Sequence, residues 1–72
     1  MFISGKRLKE LRKSKKVTQA QTADFLGIDA RSYQRLEYGG TPSIGTLVTL
    51  ADYFGVSVDY LIGRTDNPDV TK

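Results

Sequence analysis

TQAQTADFLGIDARSYQRLEYG, residues 18–39, is the stretch whose reading decides the fold. Thr18 is followed three residues later by Gln21, the spacing of a capping box. The hydroxyl accepts from an orphan amide of the first helical turn, and the glutamine side chain returns a bond to the cap. A helix therefore starts there and runs to about Leu26, with Thr22, Ala23 and Leu26 on one face. Gly27 supplies the positive φ of a sharp exit. After Ile28, Asp29 caps a further short helix over residues 30–37, in which Tyr33 and Leu36 lie three apart. Only a few residues join the two helices. Ala23 is small where they cross, and a larger side chain there would push them apart.

On the N-terminal side, Leu8 and Leu11 fall three apart among charges, and Phe2 or Ile3 extends the stripe, which predicts a first amphipathic helix between Ser4 and Lys15. On the C-terminal side, Gly39 and Gly40 end the third helix. Thr41, Pro42 and Ser43 form a turn that caps a fourth, from about Ile44 to Phe54. Its apolar face comprises Ile44, Leu47, Val48, Leu50, Ala51 and Phe54, while Gly45 costs about 1 kcal/mol relative to alanine. Gly55 closes that helix, and Ser57 caps a last one carrying Val58, Leu61 and Ile62 before Gly63. From Arg64 onward the chain is polar and expected to fray. Only residues 55–60 show a weak period of two, too short for a sheet. The expected fold is all-α, five short helices around one core. Residues 1–64 form the domain and 65–72 a polar tail.

Composition supports one core and excludes several function classes. Seventy-two residues at 39% hydrophobic content suffice for a single core. The chain has neither cysteine nor histidine, so no disulfide framework, no usual zinc site and no thiol or imidazole catalysis is expected. No phosphate-cradling glycine loop ends in Lys-Ser or Lys-Thr, and no carboxylate pair stands in an evident pocket. Neither a cofactor nor a metal is implied, and an enzyme is not expected. Nothing approaches about 18 consecutive apolar residues, which leads to the expectation of a cytoplasmic protein without membrane association.

The net charge of +3 conceals a strong asymmetry. Residues 1–16 hold seven basic side chains against Glu10, net +6; residues 17–40 hold two against three acids, and residues 41–72 two against four. A basic end opposite an acidic one suits a protein that turns one surface to a polyanion, although a solvated basic helix face has the same composition.

Residues 18–39 resemble the helix-turn-helix of the lambda-repressor-like, Cro/C1-type (XRE) regulators. ADYFGVSVDYLIGR, residues 51–64, is similar to the two closing helices of that family. The resemblance covers roughly Lys6 to Arg64. It implies a DNA-binding transcriptional regulator, with the second helix across the DNA backbone and the third in the major groove. Carried onto this sequence, Ala30, Arg31 and Arg35 face the bases, and Gln34 lies beside them one turn on. Arginine can bond guanine O6 and N7 together, and alanine can meet a thymine methyl. A solvated helix face is the alternative reading of the two arginines.

Phosphate contacts are implied for Thr18 and Gln19, for Tyr38, and for the backbone around Gly39, Gly40 and Thr41. Tyr38 has an alternative as a partly buried aromatic cap. For Lys6, Lys13 and Lys16 the two readings are a plain solvated side chain and electrostatic attraction to the polyanion. Arg12 and Glu37 match positions of an ion pair in relatives, a structural role. Thr22 departs from a commoner aliphatic residue, and its hydroxyl would bond back to the Thr18 carbonyl. Tyr33 departs likewise, either tilting the third helix or directing its hydroxyl toward DNA.

One short reading helix gives limited specificity, so a homodimer on double-stranded DNA with a pseudo-palindromic operator is expected. Val56, Val58 and Tyr60 are candidate interface residues, with core packing as their alternative. By resemblance, repression of phage or mobile-element type is expected, in the cytoplasm at the nucleoid. The competing reading is an antitoxin-like adaptor that uses helices 4 and 5 to bind a protein partner.

Overall fold

A short polar side chain stands wherever the chain enters a helix. The computed structural model describes residues 2–69. In chain order it contains α1 (Gly5–Lys15), α2 (Gln19–Leu26), α3 (Ala30–Glu37), α4 (Ile44–Phe54) and α5 (Val58–Leu61). No strand occurs among the described residues. Ser4, Thr18, Asp29, Ser43 and Ser57 occupy the five N-caps, each side chain accepting the backbone N–H three residues ahead. Each such cap contributes about 1 kcal/mol. At Thr18 the box is reciprocal: Gln21 N–H donates to Thr18 Oγ1 at 3.0 Å, and Thr18 N–H to Gln21 Oε1 at 2.8 Å. Gly27, at φ 73°, turns the chain from α2 toward α3. Lys16 makes the equivalent exit from α1 at φ 61°, a left-handed conformation that few residues other than glycine adopt without strain.

The core lies where α3 meets α1 and α2, with α4 and α5 closing it from the other side. Tyr33 and Leu36 of α3, Leu8 of α1, Ala23 of α2, Leu47 and Leu50 of α4 and Leu61 of α5 are all buried. Ala23, 2% exposed, allows the close α2–α3 approach. Thr22 is fully buried, and its hydroxyl donates to the Thr18 carbonyl at 3.0 Å, so the polar group has a partner inside the core.

Two expectations are corrected and one alternative is resolved. The sequence places Ile44 and Val48 on the buried face of α4, whereas they are 78% and 46% exposed. The inward stripe is Leu47, Leu50 and Ala51 with Phe54 half-buried, and positions 44 and 48 fall on its flank. At the N-terminus the choice between Phe2 and Ile3 falls to Ile3, which is buried, while Phe2 is 70% exposed. The register is set by Ile3 N–H donating to the Gly40 carbonyl at 3.0 Å.

The second correction concerns residues 65–69, which are tied down where fraying is expected. The Arg7 guanidinium donates to the carbonyls of Tyr60, at 2.9 Å, and Thr65, pairs with Asp66 at 2.5 Å, and lies 4.3 Å over the Tyr60 ring. Ser57 N–H donates to the Pro68 carbonyl at 3.0 Å. Residues 70–72 of the expected tail, and Met1 of the expected domain, lie outside the described residues.

Gly5 sets the distance between α1 and the end of α3. A Cβ added there would lie 2.3 Å from the Glu37 carbonyl oxygen and 2.9 Å from the Gly39 nitrogen. Both obstacles are backbone atoms, so the helices themselves would have to separate. Gly5→Ala is expected to lower stability by about 2–3 kcal/mol. Urea denaturation would show this as a lower midpoint at unchanged slope. An unshifted midpoint would show that α1 can slide without loss.

Candidate nucleic-acid interface

Helical periodicity divides α3 into two faces. Tyr33 and Leu36 point into the core, whereas Ala30, Arg31, Gln34 and Arg35 are all exposed on the other side. Neither arginine forms an ion pair among the described residues. Their planar donor forks, one turn apart, are therefore uncommitted. Asp29 opens the helix. Its carboxylate accepts from Ser32 Oγ at 2.6 Å and Ser32 N–H at 3.2 Å, and these bonds hold its carboxyl below the usual range.

Beneath this face lies a polar network that anchors α3 to α1 and α2. Arg12 Nε donates to Glu37 Oε2 at 2.6 Å, and its Nη1 donates to the Val17 carbonyl at 3.0 Å, just before the α2 cap. The two side chains are 12% and 4% exposed. Burial pushes the Glu37 carboxyl upward. Bonds from Arg12 and Gln19, with the neighbouring Tyr33 hydroxyl, outweigh that and hold it below the ordinary glutamate range. The bond to Glu37 raises Arg12 in turn. Gln19 Nε2 donates to Glu37 Oε1 at 3.0 Å, and Gln19 Oε1 accepts from Gln34 Nε2 at 3.1 Å.

The Tyr33 hydroxyl does not reach toward α3's outer face. Tyr33 is fully buried, and the oxygen has no hydrogen-bond partner among the described residues. Burial first, and then the nearby Glu37 carboxylate, push the phenol far above its usual range.

At the end of α3 the backbone differs from the expectation. The amides of Tyr38 and Gly40 donate to the Arg35 carbonyl at 3.1 and 3.2 Å, and that of Gly39 to the Leu36 carbonyl at 3.0 Å. They close the helix and do not point outward as anion donors. What this turn presents is the Tyr38 side chain, 90% exposed, together with exposed Thr41. The partly buried alternative for Tyr38 is therefore excluded.

Thr18 is exposed at the start of α2 with its hydroxyl and amide occupied in the capping box, while Gln19 is half-buried. Of the three candidate interface residues, Val56 is 6% exposed and belongs to the core, Tyr60 lies beneath Arg7, and Val58 is half-buried. Exposed apolar surface on this side comes from Ile44 and Val48. Val48 borders a shallow groove of about 300 Å³ with Ala51, Val56 and Val58.

Nothing in the sequence marks the packing role of Gly5, the anchoring role of Arg7 or the way Gln19 joins Glu37 to Gln34. The partners of all three lie far along the chain, so no local pattern marks them.

A family model described as helix-turn-helix matches residues 8–61. Among curated proteins, the chain is similar to the uncharacterized HTH-type transcriptional regulator YobD of Bacillus subtilis, 45% identical over 64 residues, covering 88% of this chain and 57% of that protein. It is similar to the SPbeta prophage-derived regulator YonR of the same organism, 44% identical over 62 residues, with 85% and 57% covered. A third relative is the cryptic phage CTXphi transcriptional repressor RstR of Vibrio cholerae, 46% identical over 59 residues, with 81% and 53% covered. The chain spans just over half the length of these relatives. No solved structure matches it significantly.

Proposed function

The chain belongs to the Cro/C1-type helix-turn-helix family, and on that basis we propose that it regulates transcription by binding DNA sequence-specifically, with α3 in the major groove. The family is a non-enzymatic, DNA-binding one. The observation that carries the reading is the outer face of α3: Arg31 and Arg35 are exposed, one turn apart and free of carboxylate partners among the described residues, beside Ala30 and Gln34. A groove reader needs two such uncommitted forks.

Thr18, Gln19, Tyr38 and Thr41 flank that face and hold the domain on the phosphates, with Gly39 and Gly40 shaping the turn. Two copies bind a pseudo-palindromic operator with half-sites about 34–36 Å apart. They associate through the exposed apolar flank of Ile44 and Val48, with Val58 at the groove edge. Repression of a phage or mobile-element promoter fits relatives named as a prophage-derived regulator and a phage repressor. The setting is the cytoplasm, at the chromosome. Among the described residues no helix is long and apolar enough to cross a membrane.

Selection from randomised duplex DNA tests this reading. The expected result is a two-fold-symmetric site bound about a thousandfold or more tighter than scrambled DNA. Weak, salt-labile binding without a motif would move the function to a protein partner of α4 and α5.

A further inference from the structure

Two hydrogen bonds run from the buried ion pair to the reading face, and both pass through Gln19. Resting on the DNA-reading role of α3 proposed above, we infer that Gln19 is a positioning residue that fixes the polarity of the Gln34 amide, so that Gln34 selects adenine over guanine.

Glu37 fixes the first amide. An ionised carboxylate only accepts hydrogen bonds, and Arg12 holds this one in place through Nε at 2.6 Å. The group of Gln19 that faces it must therefore be the nitrogen, and Nε2 lies 3.0 Å from Glu37 Oε1. That choice turns Gln19 Oε1 toward α3, where it accepts from Gln34 Nε2 at 3.1 Å. Flipping the Gln19 amide would set oxygen against carboxylate. Flipping that of Gln34 would set oxygen against oxygen. Each flip loses a bond and brings two acceptors together, so the polarity fixed at Glu37 passes outward along the chain of amides.

Gln34 is left with Oε1 and its second Nε2 hydrogen free on the exposed side. Adenine presents an N6 donor beside an N7 acceptor, which matches that pair. Guanine presents O6 and N7, both acceptors, and O6 would face Oε1. A glutamine free to flip could turn its NH₂ group to guanine, so the discrimination comes from the relay as much as from Gln34. Gln19 keeps one further Nε2 hydrogen for a phosphate. It therefore has two separable effects, one on affinity for every sequence and one on preference at a single base pair.

The test compares the selected operator with variants at the base pair whose preference disappears in Gln34→Ala. The wild-type protein is expected to favour adenine over guanine there by about tenfold or more. Gln19→Ala is expected to weaken binding to every site and, at that position alone, to reduce the preference to about twofold. Gln19→Met, which keeps the side-chain stem without the amide, should do the same, and thermal melts confirm that each variant folds. In a Gln34→Ala background, Gln19→Ala should weaken binding without altering the base profile. A uniform loss of affinity with the adenine preference intact would overturn the relay and leave operator recognition standing. So would a Gln34→Ala profile unchanged at every position. Failure of the wild-type protein to select any motif would remove both readings together.

Discussion

Arg12→Ala is expected to destabilise the domain by about 3 kcal/mol. The substitution removes the guanidinium that bonds both Glu37 and the Val17 carbonyl, leaving a carboxylate on a side chain only 4% exposed. Water reaches such a group poorly, and Gln19 alone replaces little of the lost interaction. The figure sits at the lower end of what breaking a buried pair costs because the Arg12 side chain, at 12%, still meets solvent. In a domain of this size it is a large share of the total stability. Chemical denaturation would measure it, and a change below about 1 kcal/mol, the range of exposed pairs, would show that Glu37 is solvated. The pair Arg12→Met with Glu37→Leu should recover most of the loss, since an apolar replacement leaves no buried charge.

The same site sets a dependence on pH. The folded Glu37 carboxyl lies below its ordinary value, so the folded state favours the ionised form. Its contribution is complete above the ordinary glutamate pKa of about 4.3 and is lost as pH falls through the lower folded value. Asp29 is shifted in the same direction. Melting temperature should therefore fall on acidification below about pH 4, and in Glu37→Gln the fall should be shallower. An equal slope in that variant would assign the acid sensitivity elsewhere.

The second large effect is expected at the reading face. Arg31→Ala combined with Arg35→Ala should reduce affinity for the selected operator by about a hundredfold or more, each bidentate contact to guanine being worth about 1–3 kcal/mol. Both side chains are exposed and have no carboxylate partner, so folding stability should stay within about 0.5 kcal/mol of wild type. Affinity for scrambled DNA should fall much less. Fluorescence anisotropy with the two DNAs separates these quantities. Equal losses on both would reduce the arginines to phosphate contacts, and no loss on either would favour the adaptor reading.

How much of this was legible in the sequence follows from the range of the forces involved. Helix starts are local events: a cap and its amide lie three residues apart. Thr18, Asp29, Ser43 and Ser57 therefore mark their helices openly, and the Gly27 exit lies within the same short window. The α2–α3 pairing was legible for a similar reason, since one alanine and one glycine constrain it.

Features that depend on distant contacts were not legible. Whether Ile44 and Val48 face water depends on which side of α4 its neighbours cover, which periodicity alone does not show, and the same distant contacts decide between interface and core for Val56. The amides of Gly39 and Gly40 looked available for phosphate, yet they terminate α3. Gly5 resembles any surface glycine until the end of α3 is seen against it. Arg7 reads as one more positive charge in a basic segment, and its role emerges only when Tyr60, Thr65 and Asp66 come within reach.

The anchoring of residues 3–7 also bears on synthesis at the ribosome. Ile3 bonds to Gly40, Ser4 to Leu61, and Arg7 reaches partners 53 to 59 positions later in the chain. The helices between them can form as they emerge, since their caps and turns are local. Residues 3–7 must nevertheless wait for residues 40 and 60–66 before they find their places. Until residues 60–66 have left the exit tunnel the Ser4 and Arg7 bonds cannot form, and the apolar seam that Leu61 fills in the core stays open. A pause in translation before that point would prolong exposure of this apolar seam to chaperones and proteases.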